Sequence, residues 1–87
     1  MALLKEKQEN FNDAKKILLK IIEIDSSFSP AYNALGMIND RKEDYGEAFD
    51  NFSRAIELDS DNAVFFHNRG CCLKNMGRYE ESIADFI

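Results

Sequence analysis

His67 and Cys71 are the side chains in this 87-residue sequence whose types and spacing come nearest to reactive chemistry. Four residues apart on a helix, they share a face. An imidazole beside a thiol can serve as half of a zinc site or as a Cys–His nucleophile. A structural zinc takes four ligands, and the whole sequence holds one His and two Cys. Cys72 cannot complete the set, because adjacent residues on a helix point about 100° apart. A nucleophilic dyad also needs an orienting third group and an oxyanion pocket, which a regular helix pair does not offer. The pair is therefore expected to bind no metal and do no catalysis, and no cofactor is expected. Cys71 and Cys72 do not form a disulfide with each other, since neighbours on a helix diverge.

Two charge clusters invite similar scrutiny. Asp40, Glu43, Asp44, Glu47 and Asp50 are rich in carboxylates but lack the D-x-D-x-D-G spacing of a calcium loop. They read as a solvated helix face. Lys15, Lys16 and Lys20 read the same way, balanced by Asp13 and Glu23.

The elements that carry these residues must come from one small domain or a piece of a longer one. The 45% apolar fraction and ten aromatics speak against disorder. No apolar run approaches the ~20 residues that span a bilayer. Met1-Ala2-Leu3-Leu4 passes straight into Lys5-Glu6-Lys7-Gln8, which is not the apolar core of a signal peptide. The expectation is a soluble, cytoplasmic protein. Net charge is −5, and all of it falls in residues 29–62, which carry 3 basic and 8 acidic groups. Nucleic acid and anionic membranes are disfavoured as partners on that ground.

Shifting the sequence by 34 positions lays it on itself without a gap. Phe11, Tyr45 and Tyr79 share a column, as do Ala14, Ala48 and Ser82, and Leu18, Phe52 and Phe86. Ile22-Glu23-Ile24-Asp25-Ser26 falls on Ile56-Glu57-Leu58-Asp59-Ser60. Each copy reads as two helices joined by a turn. Ser29-Pro30 predicts a capped helix start, and Tyr32, Leu35 and Ile38 follow at helical spacing. Asp44 with Glu47 reads as a capping box, and Ala48, Phe49, Phe52, Ala55 and Ile56 form the next apolar stripe. Asp59-Ser60-Asp61-Asn62 predicts a turn that caps the following helix, and Gly77 a helix stop. No strand-type alternation appears, so the chain reads as all-α.

These columns resemble the tetratricopeptide repeat. The second copy supplies Tyr32, Leu35, Gly36, Tyr45, Ala48, Phe52 and Ala55. The third supplies Phe66, Gly70, Tyr79, Ser82 and Phe86, and the first Phe11, Ala14 and Leu18. Ser26 and Ser60 replace a usual Pro, Ile21 stands where Ala55 does, and Arg69 replaces a Leu. The resemblance implies an α-solenoid of antiparallel helix pairs wound as a right-handed superhelix, with small residues admitting close helix approach. Cys72 would fill the space of a family Ala. The expected layout is one array over residues 1–87: a partial repeat 1–28, a full repeat 29–62 and a partial repeat 63–87, truncated at both ends.

The resemblance further implies a scaffold for protein–protein interaction that does no catalysis. The first helix of each pair would line a concave groove for a peptide or partner helix. Groove positions by this resemblance are Asn33, Met37, Asp40 and Arg41, then His67, Asn68, Cys71, Lys74 and Asn75. Asn33 and Asn68 can each donate and accept to a peptide backbone at once. Chaperone-binding members grip a terminal carboxylate with Lys and Asn, but here Asn33 stands where the Lys belongs and Met37 where the Asn belongs. Only Asn68 fits, so that use is not expected. The acidic middle repeat favours a neutral or basic partner over an acidic one. Two rival readings remain: self-assembly through bare ends at Leu3/Leu4 and Ile83/Phe86/Ile87, giving a homo-oligomer, or an array attached to an enzyme domain outside these residues.

Overall fold

Each run of apolar residues at 3–4 spacing folds as a helix, and each polar cluster between runs turns the chain. The structure, a computed structural model, describes the backbone of residues 2–86 and the side chains of residues 11–85. Leu3, Leu4, Phe86 and Ile87 therefore lie outside the described side chains. The helices are α1 (Ala2–Ile24), α2 (Ser29–Arg41), α3 (Tyr45–Leu58), α4 (Ala63–Asn75) and α5 (Tyr79–Phe86), and no strand occurs among the described residues. Moving α2 by 34 residues reproduces the bounds of α4. Moving α3 back by 34 ends it at Ile24, where α1 ends.

The helices pack as successive neighbours, α1 on α2, α2 on α3, α3 on α4 and α4 on α5, and α2 also touches α4. The resulting slab measures 39 × 33 × 17 Å. Its thin dimension holds two layers of helices, each about 10 Å across. The fold is the all-α solenoid of helix pairs that the family resemblance implies. Within it, Ala48, Phe52 and Cys72 form one buried cluster, flanked by Tyr45, Phe49 and Met76. Ala55, Ile56 and Phe65 form a second, flanked by Tyr32 and Phe66. Gly36 faces the first cluster so closely that a Cβ there would lie 2.6 Å from the Phe52 ring. Only glycine allows α2 this approach to α3.

Capping differs in part from the sequence reading. Asn62 caps α4 as expected, its Oδ1 accepting from the Val64 N–H at 3.0 Å. Ser29 does not cap α2; Phe28 occupies the cap position without a side-chain bond, and Pro30 sits in the first turn. Asp44 precedes α3 but makes no capping bond either. Glu47, the expected second member of that box, instead accepts from Asn39 Nδ2 of α2 at 3.2 Å. An interhelical partner wins over the local N–H. Asn39 is 2% exposed, and its Oδ1 also accepts from Asn51 Nδ2 at 2.7 Å, so a polar bridge fills a core column that Leu73 fills in the next copy.

The two interhelical turns are built alike. Lys42, Glu43 and Asp44 donate their N–H groups to Ile38, Asp40 and Asn39 carbonyls, and Met76, Gly77 and Arg78 repeat this onto Cys72, Lys74 and Leu73. The middle residue of each turn is left-handed, with φ of 64° at Glu43 and 81° at Gly77. A side chain in that region costs roughly 1 kcal/mol, a cost glycine avoids. Glu43→Gly is therefore expected to raise stability by up to about 1 kcal/mol, read as a higher urea midpoint with an unchanged slope. A lower midpoint would show that the Glu43 side chain contributes more than its backbone costs.

The first copy departs from the expected pair of helices. The columns of the turns fall on Gln8-Glu9-Asn10, yet α1 runs through them without a break. Lys5-Glu6-Lys7-Gln8-Glu9 is a run of strong helix formers with no glycine.

Candidate functional site

The groove positions stand on α2 and α4, and two hydrogen-bonded rungs tie these helices together. Asn68 Nδ2 donates to Asn33 Oδ1 at 2.9 Å, and Asn75 Nδ2 donates to Asp40 Oδ1 at 3.2 Å. The rungs are seven residues apart on both helices in the same sense, so α2 and α4 run parallel. One face of the slab is thus a row of polar side chains with an amide in each rung. Asn68 keeps its side-chain oxygen and a second amide hydrogen beyond the rung, since a primary amide offers two donors and an acceptor.

The other candidate positions divide into three groups. His67 Nε2 and Cys71 Sγ lie 3.6 Å apart one turn along α4, as their spacing requires. No group of three or more His, Cys, Asp or Glu side chains among the described residues is arranged to hold a metal ion. Lys74 is exposed in the last turn of α4. Met37 and Arg41 line a cleft between α1 and α2 instead of joining a rung. Met37 is 42% exposed, and the Asn33 amide lies 3.7 Å from its sulfur.

That cleft was not legible as part of a site. It encloses about 420 Å³ and is walled by Phe11, Ala14, Ile17 and Leu18 of α1, with Met37 and Ile38 of α2. The signal available was Ile17, an apolar residue in a column that is Asn51 and Asp85 in the other copies.

Arg69, the departure from the family Leu, is held on every side. It makes a two-pronged ion pair with Asp85 at 2.7 and 2.8 Å, and a third contact to Ser53 Oγ at 3.3 Å. Its guanidinium lies over the rings of Phe49 and Phe66, 5.7 and 5.6 Å from their centroids. The Asp85 carboxylate holds the Arg69 pKa above its already high value. This cation is structural, held between α4, α3 and α5.

Cys72 is fully buried against Ala48 and Phe52, and its thiol points to the Tyr45 carbonyl at 3.4 Å. Burial, with Asp40 and Cys71 nearby, pushes its pKa up to about 11. The folded state therefore retains a proton that an unfolded thiol loses near pH 9. Stability is expected to fall as pH rises from about 9 to about 11, by up to about 2 kcal/mol, and not to change below that window. Denaturant midpoints for the wild type and Cys72→Ala, compared across this range, check it. A slope that persists unchanged in Cys72→Ala removes Cys72 as the cause.

Comparison with known proteins agrees with this architecture. Two profiles of the tetratricopeptide repeat match, over residues 29–62 and 51–84. Hsp70-Hsp90 organizing protein 3 of Arabidopsis thaliana is 36% identical over 50 residues, which is 58% of this chain and 9% of that protein. The human small glutamine-rich tetratricopeptide repeat-containing protein beta is 40% identical over 45 residues, 52% of this chain and 15% of that protein. Among solved structures, MamA superimposes with a TM-score of 0.81 at 29% identity, over 86% of this chain and 44% of that one. The chain thus spans a minor part of each relative's length. No described helix is long and apolar enough to cross a membrane. The chain belongs to the tetratricopeptide repeat family, whose members are protein-interaction scaffolds.

Proposed function

We propose that this chain binds an extended peptide or a partner helix along the face formed by α2 and α4, and that it does no chemistry there. The observation that carries the reading is the pair of rungs, Asn33–Asn68 and Asp40–Asn75, which fix two parallel helices at a constant separation. A fixed row of amides can meet successive backbone groups of a bound segment with little ordering cost on the protein side. Asn68 is the central anchor, with Asn33 beside it. Met37 supplies an adaptable apolar contact at one edge, and His67, Cys71 and Lys74 border the other. Asp40 and Asn75 close the far rung, near Arg41.

The partner is neutral or weakly basic. Residues 29–62 carry the chain's whole net charge of −5, which disfavours an acidic segment. Arg41 and Lys74 at the rim temper that field, so a strongly cationic segment fits less well than a mostly neutral one. The carboxylate grip of chaperone-binding members is not proposed, because Asn33 and Met37 occupy its Lys and Asn positions.

Selection of random peptides on the immobilised chain tests this, with binders mapped by amide shift changes. Selected peptides are expected to be neutral or basic and to perturb α2 and α4. Asn33→Ala with Asn68→Ala is expected to weaken them roughly tenfold, the loss of one or two hydrogen bonds. Unaltered binding by that double variant, or shifts confined to α3 and α5, removes the groove reading.

A further inference from the structure

His67 and Cys71 only border the groove in the peptide reading, yet their geometry is specific. The His67 Nε2 and the Cys71 Sγ lie 3.6 Å apart. A tetrahedral zinc ion bonds nitrogen at about 2.05 Å and sulfur at about 2.3 Å, which places those two atoms about 3.6 Å from each other. The pair already spans one edge of such a tetrahedron.

The rest of α4 holds the pair in place. Phe65, Cys72 and Leu73 bury the other side of the helix, and the rungs at Asn68 and Asn75 fix it against α2. His67 is exposed and Cys71 half-buried, so an ion can reach both from outside. Cys72 takes no part, because it is fully buried and its thiol is turned to the Tyr45 carbonyl. Thiolate with imidazole selects zinc over magnesium or calcium, which take oxygen ligands.

A structural zinc takes four ligands, and with one His and two Cys a single chain offers only this pair. Two copies about a two-fold axis offer four, since each presents the same edge. We propose that His67 and Cys71 of two copies of this chain hold one zinc ion between them, in a site of two thiolates and two imidazoles. Each Cys71 thiol gives its proton to solvent as the sulfur bonds the metal, so the two thiolates balance the charge of the ion. The site is incomplete in one copy, and the metal is what joins the two. It lies beyond the groove reading and uses neither Asn33 nor Asn68, so its failure leaves peptide binding by those residues untouched.

Light scattering of the chain with added zinc tests this, in a phosphine reductant that prevents disulfides. The mass is expected to rise from 10.0 kDa towards twice that value as zinc reaches one ion per two chains, and to fall back with EDTA. Cobalt in place of zinc is expected to show the visible bands of a tetrahedral ion and a near-ultraviolet band from thiolate ligation. His67→Ala and Cys71→Ser are each expected to weaken metal uptake roughly a hundredfold or more and to abolish the metal-dependent dimer. Neither position is fully buried, so both variants should keep wild-type helicity by circular dichroism. Cys72→Ala should keep the cobalt spectrum, since its thiol is out of reach. One ion per chain without a change in mass, or a mass that never responds to zinc, overturns the proposal. Dimers that survive EDTA, or that are indifferent to His67→Ala and Cys71→Ser, overturn it equally.

Discussion

Phe52→Ala is expected to remove about 3–5 kcal/mol of stability. Phe52 is 2% exposed and is the largest member of the cluster with Ala48 and Cys72. Truncation loses the transfer energy of the ring and leaves a cavity between α2, α3 and α4. The surroundings cannot close it easily, because Gly36 offers no side chain to move inward and Cys72 is already packed. A chain of this size has a total stability of roughly 4–13 kcal/mol, so the variant should be largely unfolded at modest urea concentrations. Chemical denaturation followed by circular dichroism measures this. A loss below about 1 kcal/mol would mean that α2 slides onto α3 and refills the space. Where the cavity stays open, Phe52→Ala with Gly36→Ala should be more stable than Phe52→Ala alone, since the added methyl projects into the space the ring left.

Arg69→Leu, which restores the residue type of Leu35, is expected to destabilise by about 2–3 kcal/mol. The Asp85 side chain is 8% exposed, and losing its two-pronged partner strands a desolvated carboxylate. The leucine recovers some apolar contact with Phe49 and Phe66, so the loss falls short of that for a fully buried charge. The second copy supplies a partial control. Its residues in the two columns are Leu35 and Asn51, but Asn51 donates to Asn39, whose column holds Leu73 in the third copy, so Arg69→Leu with Asp85→Asn removes the stranded charge without reproducing that bond. The double variant should recover part of the lost stability. A coupling energy near zero between the two substitutions would show that the ion pair contributes little and that ring stacking is what holds Arg69.

How far the sequence foretold these features depends on what each column requires. Gly36, Ala48 and Phe52 were legible because close helix approach demands a size class, and size classes repeat every 34 residues. Gly77 was legible because a left-handed turn favours one residue type, whereas Glu43 in the same conformation gives no such signal. Ser29 and Asp44 were misread because a capping side chain is only one of several ways to satisfy a helix start. Glu47 found Asn39 on another helix instead. Asn39 itself was invisible as a core residue, since its partners Glu47 and Asn51 are brought to it by tertiary packing. The rungs were half legible. The family resemblance named Asn33 and Asn68 as groove candidates, but their bond to each other depends on the lateral spacing of α2 and α4. In α1, local helix propensity prevailed over the repeat, and the turn columns became helix.

Because, among the described residues, each helix rests only on its neighbours in sequence or, for α2 and α4, on the next but one, no packing between these helices waits for a distant part of the array to exist. The hairpin of α2 and α3 can close once Leu58 has left the ribosome, and α4 then docks on a surface that is already formed. Such sequential assembly keeps loop-closure entropy low at every step. It also spares the nascent chain a long interval with its apolar stripes uncovered.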